Sequence, residues 1–297
     1  MKRILVTGAT GFLGRHLMQL LRREHCLLVG MSRHRNATGR SDIESLDITS
    51  PMDVRNLLYS FLPDVIFHLA GNPLVKESGP EVMRVNTLGT NHLLEYAPKG
   101  CRFVLASSAT VYGAHASGLL AHEGFPCAAT STYAASKIAA ESLVDAYTFT
   151  GRVRGISLRY VANVGPGATH GLLRDIVRKL REDSKSLELL GDAPGSTKPF
   201  IHVADTARAT RYFGLDCDYI GHVNISNSDS LSVLEVATMA IDALGIHKPI
   251  VWSGQDSLWP GDIKTVRISP RKMQGLGFEL TYNTSVKAVK KALEEME

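Results

Sequence analysis

Apolar positions in the first half of the chain come as short runs alternating with helical repeats. Residues 3–7, Arg-Ile-Leu-Val-Thr, form a run that stops at Gly8, the pattern of a strand buried on both faces. Leu13, Leu17, Leu20 and Leu21 then recur at helical spacing to about residue 23. Cys26–Met31 is a second run, Ser45-Leu46-Asp47-Ile48 follows, and a helix over 51–61 has its end set by Pro63. Val65 to Gly71 predicts another buried strand with a small-residue exit. A helix is expected over 86–97, a strand over 102–106, a helix from Tyr133 to about 149, and a strand over 154–160. This alternation predicts an α/β fold, a doubly wound parallel sheet of Rossmann type.

From about residue 165 the pattern changes. Gly165-Pro166-Gly167 opens a loop, and Leu172, Leu173, Ile176, Val177 and Leu180 mark an amphipathic helix. The later pieces are shorter: strands at 186–190, 199–203 and 222–225, and helices at 205–213, 232–244 and 284–296. The expected division is a first domain over 1–165 and a smaller α/β region over 166–297. Segments near 196–230 are expected to return to the first domain, with His222–Ile225 rejoining the main sheet.

Composition narrows the class. The chain has 297 residues, 44% hydrophobic and 21% charged, enough for a sizeable core. The net charge of +4 is spread without a dense basic run, which argues against a nucleic-acid partner. Cys26, Cys101, Cys127 and Cys217 are far apart and form no metal-ligand pattern, so reduced thiols and no metal are expected. No apolar run reaches membrane-spanning length, and the N-terminus enters a strand directly, so a soluble, cytoplasmic protein is expected.

The glycines give the first chemistry. Gly8, Gly11 and Gly14 sit three apart at a strand-to-helix turn. Gly8 suits the tight turn, Gly11 a close approach to a pyrophosphate, and Gly14 close packing of helix on strand. The helix that follows offers free N–H groups and its positive dipole end to phosphate. An acidic residue after the second strand would select NAD; Ser32-Arg33 stands there instead. A hydroxyl followed by a guanidinium suits a 2′-phosphate, so NADP is favoured over NAD, the other reading being a solvated loop. Asp47 is placed to accept from the adenine amino group, and the hydroxyls of Ser107, Ser108 and Thr110 end a parallel strand. Tyr133 and Lys137 lie one turn apart on one helix face. The ammonium is expected to stabilise phenolate, lowering the Tyr133 pKa toward neutrality and making it a base for a hydroxyl proton.

Together these pieces resemble the extended short-chain dehydrogenase/reductase superfamily, and within it the nucleotide-sugar epimerases and dehydratases. The resemblance is carried by Thr7-Gly8-Ala9-Thr10-Gly11-Phe12-Leu13-Gly14, Asp47-Ile48, His68-Leu69-Ala70, Asn86 with Gly89, Ser107 through Gly113, and Tyr133 with Lys137. It continues through Leu158-Arg159-Tyr160, Gly165-Pro166, Phe200-Ile201-His202-Val203 with Asp205, and Trp259-Pro260-Gly261-Asp262. Thr169-His170-Gly171, Asn72-Pro73 and the Trp259 run look most like archaeal-type UDP-glucose 4-epimerases.

The resemblance implies Tyr133 as base, Lys137 on the nicotinamide ribose, and Ser108 and Thr110 on the reacting sugar oxygen. It implies a cofactor cradle of Gly8, Thr10, Gly11, Phe12, Leu13, Gly14, Ser32, Arg33, Asp47, Ile48, Leu69, Ala70, Gly71, Asn86, Ser107 and Tyr160. Asn72, Asn163, His170, Lys198 and Arg267 fall to the nucleotide-sugar substrate, Lys198 being equally readable as a surface lysine. Trp259 is open between stacking on a base and closing the core. Two departures matter. The Asp-Glu pair by which 4,6-dehydratases eliminate water is replaced by Ala109 and Thr110, which argues against dehydration. The Asn expected three residues after Arg159 is Ala162, with Asn163 one place later. The leading expectation is a nucleotide-sugar 4-epimerase working through a 4-keto intermediate. An NADPH-dependent reductase of a nucleotide-linked 4-keto-6-deoxysugar follows it, and a non-catalytic dinucleotide sensor comes last. The resemblance also implies a homodimer through the helices around 86–97 and 133–149.

Overall fold

The computed structural model describes residues 1–33, 41–73, 79–254 and 263–296. They form two compact units. Unit 1 comprises Met1–Val111, Cys127–Tyr160 and Ala207–Val223; unit 2 comprises Tyr112–Pro126, Val161–Thr206 and Asn224–Glu297. The segment Tyr112–Pro126 therefore clusters apart from the sheet that precedes it, differing from a division at residue 165. Its ties are local to unit 2: the Tyr112 hydroxyl donates to Asn224 Oδ1 at 2.7 Å, and Asn224 N donates to Glu123 Oε1 at 2.8 Å.

Unit 1 is built on strands β1 (Lys2–Thr7), β2 (Cys26–Ser32), β3 (Ile43–Ser45), β4 (Val65–His68), β5 (Cys101–Ser108) and β6 (Val153–Tyr160), with β7 (Gly221–Ile225) completing the sheet. The spatial order is β7-β6-β5-β4-β1-β2-β3, and β1 to β6 pair in parallel. The order reverses between β1 and β4, so the ligand crevice of such a sheet opens at their carboxyl ends. The strands read as continuous apolar runs because helices cover both faces. Ile4, Leu5, Ile66, Phe67, Phe103 and Val104 are all inaccessible to water.

Helix α1 (Phe12–Leu21) buries Gly14, Leu17, Met18 and Leu21, the face its leucine spacing predicts. Helix α2 (Pro51–Phe61) starts at Ser50, whose hydroxyl accepts from Asp53 N, and ends at Leu62 in left-handed backbone one residue before Pro63. The helix expected over 86–97 is interrupted. A short α-turn, Pro80–Met83, passes into a π turn, Arg84–Leu88, before α3 (Gly89–Tyr96). Helix α4 (Thr132–Phe149) is capped by the Ser131 hydroxyl on Ala134 N and buries Ala134, Lys137, Glu141 and Val144 along one stripe. Strand β4 stops at His68, three residues short of the run that predicts it. The Thr7 backbone pairs once more, with Leu69 N at 3.2 Å; the Thr7 hydroxyl then takes Ala70 N at 3.2 Å and the ladder ends.

Unit 2 is made of short parallel pairs, Ala162–Val164 with Phe200–His202 and Leu187–Leu189 with Ile250–Trp252. Helices Leu172–Arg181, Val233–Leu244 and Ser285–Glu294 surround its core of Ile176, Leu187, Phe200, Val236 and Val289. The Val233–Leu244 helix carries a full capping box between Ser232 and Glu235. No helix among the described residues is long and apolar enough to cross a membrane.

Candidate active site

The glycine turn lies at the reversal point of the sheet. Gly8 has φ of +70°, and a Cβ there would lie 2.7 Å from Ala70 N. A Cβ on Gly14 would lie 2.1 Å from Gly8 O, so glycine alone lets α1 start against β1. Gly11 caps α1 with no side-chain partner, leaving first-turn N–H groups for an anion. This cradle fits a dinucleotide pyrophosphate. Phe12 and Leu13 begin α1. The Thr10 and Ser32 hydroxyls bond each other at 2.7 Å, and Arg33 is exposed at the end of β2.

Asp47 and Ile48 sit beyond β3. Asp47 Oδ1 accepts from Thr49 N at 2.9 Å and Thr49 Oγ1 at 2.7 Å, and the Thr49 backbone bond leads in lowering its pKa. The carboxylate is thereby fixed in charge and orientation. Ile48 is buried where any side chain on Gly89 would collide with it. Leu69 and Ala70 are half-buried at the β4 exit, and Gly71 lies where a Cβ would meet Asn86 Oδ1 at 3.0 Å and Lys137 Nζ at 3.5 Å. Asn86 Oδ1 accepts from Asn72 N at 2.7 Å, and its Nδ2 donates to Asn72 O at 3.1 Å and Ser136 Oγ at 2.9 Å.

The structure brings Ser108, Thr110, Tyr133 and Lys137 together. Ser108 Oγ accepts from Thr110 N at 3.3 Å and Thr110 Oγ1 at 3.0 Å, which leaves its own proton uncommitted to Thr110. The expected pull of Lys137 on Tyr133 needs correction. Burial pushes Tyr133 above its ordinary pKa, and the Ser108 bond brings it only partly back. The Lys137 ammonium is 5.8 Å from the Tyr133 ring centroid and donates to Ala106 O at 2.8 Å. Burial brings Lys137 down to about 8, with Glu141 acting to hold it up.

Two residues assigned to the cofactor have their side chains committed elsewhere. Ser107 Oγ donates to Glu141 Oε1 at 2.6 Å, within a buried group where Arg159 grips the same carboxylate. Side chains alternate along a strand, so Ser107 turns away from the direction of Ser108. The Tyr160 hydroxyl is bonded to Thr210 Oγ1 at 2.8 Å, and burial raises its pKa. Glu141 and Ser136 were not anticipated. The signal for Glu141 was its place eight residues after Tyr133, on the same helix face.

The remaining residues lie in unit 2. Asn163 is half-buried, with Oδ1 accepting from Thr206 Oγ1 and Nδ2 donating to Val161 O at 3.3 Å. His170 is exposed beside Thr169. Lys198 and Arg267 lie on adjacent segments: Thr197–Lys198 pairs with Leu231–Ser232, and Val266 N donates to Thr197 O at 2.8 Å. Trp259 and the Pro260-Gly261-Asp262 run fall outside the described residues. Among the described residues no His, Cys, Asp and Glu cluster suits a metal ion.

Known proteins share this fold. The NAD complex of UDP-glucose 4-epimerase from Thermus thermophilus matches with a TM-score of 0.86 at 23% identity, over 99% of this chain and 98% of that one. A UDP-galactose 4-epimerase matches with a TM-score of 0.82 at 29% identity over the same shares. The UDP-N-acetyl-alpha-D-glucosaminuronate decarboxylase of Bacillus cytotoxicus is 31% identical over 80% of this chain and 78% of its own length. Residues 4–226 match the NAD dependent epimerase/dehydratase family, a span that reaches from within β1 to the end of β7. The chain belongs to that family, as an NAD(P)-dependent enzyme of nucleotide-sugar chemistry.

Proposed function

We propose that the protein is a nucleotide-sugar 4-epimerase of the UDP-glucose/galactose type. The observation that carries this reading is Ser108 Oγ, held by two bonds from Thr110 and acting to lower the Tyr133 pKa, with Ala109 and Thr110 offering no carboxylate to eliminate water. A bound nicotinamide dinucleotide supplies hydride acceptance and return. Tyr133 takes the proton of the sugar C4 hydroxyl and gives it back to the inverted centre. Ser108, ordered by two bonds from Thr110, steadies the oxygen as the ketone forms. Lys137 presents its ammonium beside Gly71, at the β4 exit. Asn72, Asn163, His170, Lys198 and Arg267 are proposed for the substrate, and an archaeal-type specificity and a homodimer through α3 and α4 complete the reading.

A second reading is a reductase of a nucleotide-linked 4-keto-6-deoxysugar, favoured by Ser32-Arg33, which also leads us to propose NADP over NAD. The test is incubation with UDP-glucose or UDP-galactose, with product followed by chromatography and NADPH by absorbance. Interconversion without net NADPH loss is expected; stoichiometric NADPH loss with a 4-keto sugar nucleotide would establish the reductase instead. Tyr133→Phe is expected to abolish turnover and keep cofactor binding.

A further inference from the structure

A chain of buried polar groups runs beneath this site and has one sense of donation. Ala70 N–H, which can only donate, bonds Thr7 Oγ1 at 3.2 Å; Thr7 Oγ1 bonds His68 Nδ1 at 2.8 Å. His68 Nε2 bonds Thr90 Oγ1 at 2.9 Å, and Thr90 Oγ1 donates to Asn86 O, which can only accept, at 2.6 Å. The Thr90 proton is spent on Asn86 O, so Thr90 Oγ1 accepts from His68 Nε2. Burial keeps the imidazole neutral, so its Nδ1 is bare and accepts the Thr7 proton. Thr7, His68 and Thr90 are all buried, which disfavours the cation and pushes His68 down to about 3, and the Lys137 ammonium acts in the same direction.

The chain ends on a feature that helical periodicity does not predict. Asn86 lies inside the π turn, closed by Gly89 N on Arg84 O, and such turns are frequent at functional sites. In an uninterrupted α-helix the Asn86 carbonyl would take the Thr90 N–H. The Thr90 hydroxyl bonds that carbonyl, and His68 orients the hydroxyl. The side chain of Asn86 then holds the Asn72 backbone on one side and Ser136 Oγ on the other. Ser136 Oγ donates in turn to the Tyr133 carbonyl at 2.7 Å.

We propose that His68 and Thr90 are positioning residues of the Tyr133 relay: they maintain the π turn that aims the Asn86 amide at the first turn of the catalytic helix. The proposal rests on Tyr133 being the proton relay. It is tested with Thr90→Val, which keeps shape and removes the hydroxyl, and Thr90→Ser, which restores it. Thr90→Val is expected to lower kcat for UDP-glucose/UDP-galactose interconversion by about 10- to 100-fold, the scale of a sub-ångström misplacement. KM is expected to change less than about twofold, and Thr90→Ser to return kcat toward the parent. The Tyr133 ring-carbon resonance, assigned with Tyr133→Phe, should titrate at a different pH in Thr90→Val and at the parent value in Thr90→Ser. In the unaltered protein, the His68 nitrogen resonances should show a bare Nδ1 and protonated Nε2, constant over roughly pH 5 to 8.

An unchanged kcat and Tyr133 titration in Thr90→Val would overturn the proposal, as would a His68 that titrates or carries its proton on Nδ1. If Thr90→Val fails to fold, the Thr90→Ser and His68 measurements still decide it. Full turnover in Tyr133→Phe would refute the relay reading, while the two spectroscopic measurements would still report on the chain.

Discussion

Removing Arg159 is expected to cost more than removing Arg159 and Glu141 together. Both side chains are buried, Glu141 on α4 and Arg159 on β6. The guanidinium holds the carboxylate at both oxygens, Nε to Oε1 at 2.9 Å and Nη2 to Oε2 at 2.7 Å, and Ser107 Oγ adds a third bond at 2.6 Å. Arg159→Met fills much of the same volume but leaves an ionised carboxylate with one neutral donor in place of two charged ones. Breaking a buried pair in this way costs about 3–5 kcal/mol. Adding Glu141→Leu removes the stranded charge, and the residual cost is chiefly the Ser107 hydroxyl left without its acceptor, about 1–3 kcal/mol. Urea unfolding at neutral pH, followed by circular dichroism, should therefore show the double variant recovering at least ~1 kcal/mol relative to Arg159→Met. A deficit below about 1 kcal/mol in Arg159→Met, or costs that simply add in the double variant, would refute the account.

Two further expectations follow from the site. Lys137 falls from 10.5 to about 8 by burial, so holding its charge costs stability below pH 8, and that cost fades as pH rises from 8 to 10.5. Lys137→Met should abolish turnover yet unfold about 1–2 kcal/mol later at neutral pH, roughly 3 kcal/mol of relieved desolvation less the bond to Ala106, with the gain lost near pH 10; equal or lower stability at neutral pH would contradict this. Gly14→Ala, whose Cβ meets Gly8 O at 2.1 Å, should lose its dinucleotide during gel filtration, whereas Gly275→Ala, with open space around it, should keep it.

The glycine turn and the pairing of Tyr133 with Lys137 are legible in the sequence because each depends on local order. A strand, glycines three apart and a leucine-spaced helix fix a turn over fourteen residues, and Tyr133 and Lys137 need only one helix face. The interruption at Arg84–Leu88 was not readable, because one extra residue in a helical turn leaves the apolar spacing of Leu93 and Leu94 intact. The contact beside it, a threonine hydroxyl joined to a histidine twenty-two residues away, appears only when β4 and α3 are brought together. Burial explains the Tyr133 correction: spacing places an ammonium near the phenol but says nothing of how much water either retains.

Parity is the more instructive case. Ser107 and Ser108 are adjacent and chemically identical, and nothing in the pair says which faces the chemistry. The register separates them: Ser107 is opposite Arg159 and Ser108 opposite Tyr160, and residues opposite one another in a sheet share a face. Arg159 stands in the run Ile156-Ser157-Leu158-Arg159-Tyr160, and a cation inside a buried strand requires a carboxylate. Glu141, on the face of α4 that carries Tyr133 and Lys137, meets that requirement, and the face of β5 bearing Ser107 is thereby committed to holding it. The hydroxyl on the other face of β5 is that of Ser108, so the buried ion pair and the serine proposed for the reaction are two consequences of the same alternation along β5.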